Sequence, residues 1–442
     1  MLHRFHGGIR LTGRKSATRR AASVPLEHGP EKVVLPLHWC CAQRVRPLVT
    51  KGESVLAGQR LAEPEGEDGI PLHASVSGRV LELRGEYDPG GAAVVLESDG
   101  MELAVQPEGP LPRRDRPGEL SPAEVLAALR AGAVVDGEGR PAYVRLREAA
   151  GRADVLIVNA VECESYMTAV HRLLLEQPGE VLGGIRLMMR VLGLRKAVLA
   201  VGGDKADAVA ALQARLPLRG GDISLAVLRR RYPAEAEITL VEQVTGKRTP
   251  PRGTPLDVGA LVLPAATAAA AYSAVYDAKP FIRQIVTVAG GAVERPGNYL
   301  LPLGTRMEEL LRETGWVDNP YRIVQGGPMT GTAVADLEAP VGRMAGAVLA
   351  LTKKECARYK NEDGDCIRCS RCIEVCPMHL EPLYLRLHAD AGHWDVLKDL
   401  HVEDCIQCGT CTWACPAHIH IAHSIRRGLL HLEEEREEAA EK

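Results

Sequence analysis

Eight of the twelve cysteines fall in two runs near the C-terminal end of the chain. Cys366, Cys369, Cys372 and Cys376 are spaced C-x2-C-x2-C-x3-C and followed by Pro377. Cys405, Cys408, Cys411 and Cys415 repeat that spacing 39 residues later and are followed by Pro416. A tetrahedral structural zinc site wants two Cys pairs, typically a dozen or more residues apart. Three Cys at successive intervals of three, with a fourth before Pro, wrap an iron–sulfur cubane instead, and in paired runs the fourth Cys of each ligates the other's cluster. The spacing therefore predicts two [4Fe-4S] clusters. Cys366, Cys369, Cys372 and Cys415 are expected to hold one, and Cys405, Cys408, Cys411 and Cys376 the other. Crossed ligation keeps the two close, which suits electrons passing between them. Thiols clustered at one end of a chain read as metal ligands in a reducing compartment, not as a disulfide framework. His379, His418, His420 and His423 lie nearby and are read as packing or solvent-facing side chains. Cys40 and Cys41 are adjacent and cannot easily bridge each other or chelate one ion. They and Cys163 are read as plain thiols, a redox role for Cys40 or Cys41 being left open; Cys356 is read as incidental.

The 442 residues amount to about three domains at ~150 residues each. Hydrophobic residues at 46% and charged residues at 25% are ordinary for a globular chain, and exclude a disordered, collagen-like or coiled-coil one. Aromatics are 4%, so the core must rest on aliphatic side chains. A net charge of −3 provides no electrostatic footprint for nucleic acid. The longest uncharged stretch, Val258–Tyr276, contains Pro264 and is rich in Ala. It reads as a strand, a turn and a small-residue helix, not as a membrane span. The N-terminal segment is basic without an apolar core, so it does not read as a signal peptide. The expected location is the cytoplasm, or a peripheral position on the cytoplasmic face of the cell membrane.

Several elements must carry the cysteine module. Residues 30–100 read as short strands and turns, and Val49–Leu83 resembles a biotinyl/lipoyl-like barrel-sandwich. The hairpin tip, Glu63 to Leu72, has no Lys, so a docking module is expected, not a swinging arm. Ser121-Pro122-Ala123-Glu124 reads as N-cap, N1 Pro and N3 Glu of a helix over 121–131. Val155–Val158, Ala197–Val201 and Ile223–Leu228 are apolar runs alternating with helical patterns over 168–192 and 205–216. That order predicts a parallel sheet with covering helices. Ligands of such sheets bind beyond the carboxyl ends of the strands. Asn159, Glu162 and Glu164 lie there, with Gly202, Gly203, Asp204 and Lys205. Further on, Gln284–Val288 and Gly297–Leu303 read as strands, Arg306–Glu313 as a helix, and Gly326–Gly331 as a Gly-rich turn. The last residues, 431–442, read as a solvated acidic tail.

Taken together, the motifs resemble those of the C subunit of the Rnf/Rsx electron-transport complexes, over nearly the whole chain. The residues that carry the likeness are FHGGI (Phe5–Ile9), VNAVECESYMTAVHRLLLE (Val158–Glu176), Tyr232-Pro233 with LVEQVTGKRTPPRGTPLDVGALV up to Val262, GGPMTG (Gly326–Gly331) and the two Cys runs. A similar protein is the electron-transfer protein associated with proline reductase. The resemblance implies a multidomain α/β architecture: a barrel-sandwich region over 1–115, a flavin/nicotinamide α/β domain of the complex I type over 116–280, an SLBB domain over 281–350 and a two-cluster ferredoxin domain over 355–430. It implies FMN as cofactor, NADH as hydride donor, and electrons leaving through the clusters to redox partner proteins, among them membrane subunits of the Rnf type. Carried over position by position, Asn159, Glu162 and Glu164 fall on the flavin/nicotinamide loop, Lys205 on the family's following Lys, and Thr267 on the Thr of its NVGT.

The chain also departs from the family. Its glycine-rich GLGGAGFPT loop is here Asp136-Gly137-Glu138-Gly139-Arg140-Pro141-Ala142. After Tyr232-Pro233, a QGGEK-like loop has become Ala234-Glu235-Ala236-Glu237-Ile238. NVGT reads Pro264-Ala265-Ala266-Thr267, and QHIGAP reads Trp39-Cys40-Cys41-Ala42-Gln43-Arg44. All four changes converge on one pocket. The alternative reading is a flavin-free carrier between a separate reductase and a terminal soluble reductase.

Overall fold

The computed structural model describes residues 2–440 apart from 43, 87, 89, 108–110, 217–220, 318–319 and 357–363. Gln43 of the altered loop, Glu108–Pro110 of the Pro/Arg-rich connection and the last two residues of the acidic tail lie outside the described residues.

The β-rich N-terminal unit is two small sheets face to face. Lys32–Pro36, Ala93–Ser98, Gly78–Arg84 and Ser54–Val55 form one, and Arg44–Pro47, Arg60–Glu65 and Leu72–His73 the other. Alternate residues point inward, so Val33, Leu35, Val94 and Leu96 of the first sheet meet Leu61 and Leu72 of the second. Leu303 closes that core from outside the unit, and Ser75 Oγ donates to its carbonyl at 2.6 Å. The barrel-sandwich is thus tied to the later β domain.

The central unit is the expected α/β layer. Its four strands are parallel, in the order Ile223–Leu228, Ala197–Gly202, Val155–Ala160, Ala260–Pro264. Strand 155–160 lies between 197–202 and 260–264, so the topological switch point falls between 155–160 and 260–264. The continuous helix expected over 168–192 is broken, with helices at Ala169–Glu176 and Pro178–Leu192. Pro178 has no N–H to continue the first helix and starts the second. Strand 260–264 runs directly into helix Ala265–Tyr276 at Pro264, without the intervening turn. Its alanines let helix 178–192 lie close, with Gly184 against the Ala268 backbone. Ser121 caps helix Pro122–Ala131 as expected: its Oγ accepts from Glu124 N at 3.2 Å while Glu124 Oε2 accepts from Ser121 N at 2.7 Å.

A six-stranded sheet forms the third unit, in the order Ser23–Pro25, Gly297–Pro302, Arg283–Ala289, Ala347–Leu351, Arg322–Gln325, Thr332–Ala333, with helix Met307–Thr314 packed on it. Its first strand comes from the N-terminal segment and pairs in parallel with 298–300. The opening 25 residues are therefore an arm that reaches other units before the barrel-sandwich begins. The C-terminal unit is helical. Ile421, Ile425, Leu429 and Leu432 on helix Ile421–Ala440 face Leu385, Ala389 and Leu397, while the acidic residues after Leu432 are exposed.

Candidate iron–sulfur centre and the crevice beside it

The 39-residue repeat is a repeat of backbone shape as well as of sequence. Arg368 and Gln407, each just before the second Cys of its run, have φ of 52° and 51°. Ser370 and Gly409, just after it, have 59° and 73°, and His379 and His418 both have 57°. Left-handed residues interleaved with ordinary ones turn successive N–H groups inward, the concavity that recurs at iron–sulfur and phosphate sites. Two cavities result. Cys366, Cys369, Cys372 and Cys415 line one; Cys376, Cys405, Cys408 and Cys411 line the other. The fold thus exchanges the fourth Cys of each run between the two cavities.

Backbone N–H groups already aim at the sulfurs: Met378 and Leu380 at Cys376, Gln407 at Cys405, Thr412 at Cys411. The Thr410 hydroxyl lies 3.3 Å from Cys408 Sγ. Burial pushes the Cys405 thiol up to about 12 and also raises the Cys411 thiol well above its ordinary value. Without metal these groups are neutral thiols in an apolar wall; binding iron releases their protons. Eight soft donors in two groups of four fit two cubanes. The two cavities are not equivalent towards solvent. Cys366 and Cys369 are exposed, and Ile367 between them is 67% exposed. Cys376, Cys408 and Cys411 are buried.

The second cavity is walled by the rest of the chain. Tyr232 Oη donates to the Cys408 carbonyl at 2.6 Å, and Cys408 shares an apolar core with Phe5, Ile9, Val161, Cys163 and Ala234. From the N-terminal arm, Gly8 N donates to Val375 O at 2.8 Å, and the rings of His6 and His379 stack at 4.2 Å. The arm residues FHGGI, which in the sequence carry only a likeness, are what seat the cysteine module. Among the remaining thiols, Cys163 contacts the Glu235 carboxyl, Cys40 and Cys356 are buried, and Cys41 donates to Gly139 O at 3.1 Å.

The five residues expected around a flavin lie at or near the switch-point crevice, but each is engaged with protein. Asn159 Nδ2 donates to Glu235 O at 2.8 Å, and its Oδ1 accepts from Val161 N. Glu162 Oε1 accepts from Val170 N at 3.0 Å at the start of helix 169–176. Its other oxygen is 3.9 Å from Lys205 Nζ, and both side chains are buried. Burial pushes Lys205 down, against the opposing pull of Glu162 and Asp204. Lys15 of the arm lies over this pair, donating to Glu162 O at 2.5 Å and facing Asp204 at 3.6 Å. Glu164 turns towards the third unit: Met329 N and Thr330 Oγ1 donate to it at 2.7 and 2.5 Å, so it grips the Gly-rich turn. Gly327 lies against that carboxylate, where no side chain would fit. Thr267 Oγ1 donates to Val135 O at 2.8 Å.

The loop in place of the glycine-rich one is folded on Asp136, which is 2% exposed. Its Oδ1 accepts from Glu138 N at 3.0 Å and Arg140 N at 2.9 Å, and its Oδ2 faces Arg145 at 3.4 Å. Arg145 reaches on to Glu237 and to Val262 O, on the free edge of strand 260–264. Loop amides that a phosphate or flavin carbonyl would need thus serve the chain's own carboxylate. The residues present do not fit FMN in the expected pose. Asp136 and Arg145 decide this, and nothing in their spacing announces that they meet.

Four family models match the chain: the RnfC barrel sandwich hybrid domain at residues 3–101, the Nuo51 FMN-binding domain at 133–273, the SLBB domain at 285–333 and the 4Fe-4S dicluster domain at 362–419. Among curated relatives, the C subunit of the proton-translocating ferredoxin:NAD(+) oxidoreductase complex of Clostridium ljungdahlii is 34% identical over 88% of this chain and 84% of its own. The C subunit of the Na(+)-translocating ferredoxin:NAD(+) oxidoreductase complex of Acetobacterium woodii is 33% identical over 88% of each. The C subunit of the ion-translocating oxidoreductase complex of Pseudomonas aeruginosa is 34% identical over 88% of this chain and 50% of its own. Among the described residues no helix is long and apolar enough to cross a membrane.

Proposed function

Because this chain belongs to the family of Rnf-complex C subunits, we propose that its two cysteine runs carry its work as cluster ligands, Cys366, Cys369, Cys372 and Cys415 for one [4Fe-4S] cluster and Cys405, Cys408, Cys411 and Cys376 for the other. It is an iron–sulfur electron-transfer protein, and its partners are redox proteins, including membrane subunits of an Rnf-type complex on whose cytoplasmic face it sits peripherally. Bound there, the clusters supply one-electron carriage. The chain's own part is to hold the thiolates, to aim N–H groups at the sulfurs, which sets the potential, and to keep water from the inner site. The observation that supports this assignment is the exchange of Cys376 and Cys415 between the two cavities.

The test is spectroscopic. Cys415→Ser should remove or convert the same paramagnetic signal as Cys369→Ser, and Cys376→Ser the signal lost in Cys408→Ser. If Cys415→Ser instead pairs with Cys408→Ser, the crossed assignment is wrong. Zinc in place of iron and sulfide in the anaerobically purified protein would remove the reading altogether. A second reading, in which NADH delivers hydride through FMN, has the match to the FMN-binding domain over 133–273 behind it but requires the loop on Asp136 to release its amides. The flavin would then convert a two-electron donor for one-electron carriers.

A further inference from the structure

We infer that the α/β domain of this chain takes up neither FMN nor NADH, and that its clusters are reduced singly by a one-electron donor. The inference rests on the cluster assignment above. It departs from the family pattern at one place, the switch-point crevice.

Three sets of contacts occupy the altered loop and the strand ends beside it. First, Asp136 occupies the inward amides of Glu138 and Arg140. A fixed carboxylate there opposes any phosphate or electron-rich ring by charge as well as by volume. Glycine at this position, as the family pattern has it, would leave those amides open to a ligand. Second, Arg145 crosses from Asp136 to Glu237 and to Val262 O on the free edge of strand 260–264, which pins the altered loop against that strand. Third, the N-terminal arm lies over the ends of the neighbouring strands, with Lys15 on Glu162 and Asp204, and Arg19 Nη2 on Asp204 O at 2.6 Å. Opening the loop would leave Asp136 buried without Arg145, and an uncompensated buried charge is strongly unfavourable.

With that route closed, the inner cysteines have protein on their flanks, whereas Cys366 and Cys369 meet solvent. The step itself moves one electron from the reduced donor to a cluster; no bond forms and no proton or hydride is transferred.

The experiment uses the full chain, purified anaerobically with its clusters. FMN is titrated at equilibrium by its fluorescence, and NADH and dithionite-reduced methyl viologen are added separately while cluster absorbance is followed. The expected result is unquenched FMN, no thermal shift with FMN, no bleaching by NADH, and full bleaching by the viologen radical. Stoichiometric quenching of FMN, or bleaching by NADH with no added reductase, overturns the inference. The cluster assignment fails separately: absence of iron and sulfide removes the bleaching arms but leaves the FMN titration readable.

Discussion

Gly7 is held at φ +62°, and a Cβ built on it would lie 2.6 Å from Val375 O and 2.7 Å from Cys376 O. Only a residue without a side chain lets the arm approach the backbone that carries a cluster cysteine. Gly7→Val should therefore loosen the cysteine module while the α/β sheet stays folded. The expected outcome is faster amide exchange at Gly8 and Cys376 and faster loss of cluster absorbance in air; unchanged exchange at both would show that the arm does not seat the module. Glu162 behaves differently from a ligand-binding residue. It caps helix 169–176 and faces buried Lys205, so Glu162→Ala removes the cap and leaves that ammonium with Asp204 alone, 3.6 Å away. Losing a whole buried partner costs about 3–5 kcal/mol, which is the upper bound here. The variant should show a clear drop in denaturant midpoint whether or not FMN is present. A stable variant with altered ligand binding would return Glu162 to the flavin site.

At the scale of elements, the barrel-sandwich holds a titratable group that its pairing does not satisfy. His73 ends the short strand Leu72–His73, is 7% exposed, and has no partner for Nδ1. Burial, with Arg60 and Arg343 nearby, lowers it to about 3. The folded unit therefore keeps the ring neutral where the unfolded chain would already be protonated. Stability from this source is full above the ordinary histidine value of about 6.5 and is lost as pH falls from there towards the folded value, by about 2 kcal/mol at pH 5. His73→Gln should reduce the fall in Tm between pH 7 and pH 5 relative to the parent chain. Equal falls in both would place the acid sensitivity elsewhere.

At the scale of the molecule, the four units share contacts through the arm, through Glu164 on the Gly-rich turn, and through Tyr232 on the Cys408 carbonyl. The cysteine module has its own apolar core, but that core includes Cys372, Cys376, Cys411 and Cys415. Metal binding and folding are then coupled in that module alone. Removing iron with a chelator under reducing conditions should abolish amide protection over helices 382–391 and 421–440, while strands 155–160 and 197–202 keep theirs. Loss of protection across all four units would mean that they unfold as one.

Local rules are enough for much of this. Eight cysteines with their prolines specify two clusters because coordination depends on residue type and short spacing. The capping box at Ser121 and the three apolar runs of the α/β sheet are legible for the same reason: each is settled within a few residues. The break at Pro178 is equally local, yet the apolar period runs through it and hides it. The crevice is another matter. Asp136 and Arg145 are nine residues apart, but Glu237 and Val262 lie 92 and 117 residues beyond Arg145, and Lys15, Glu162 and Asp204 are as widely spread, so nothing in their spacing shows that they all meet. Charge pairing across a hundred residues is set by how the strands are ordered and where the N-terminal arm crosses them. Whether the crevice can admit a flavin was therefore decided by the tertiary structure, through charges that only the folded chain brings together.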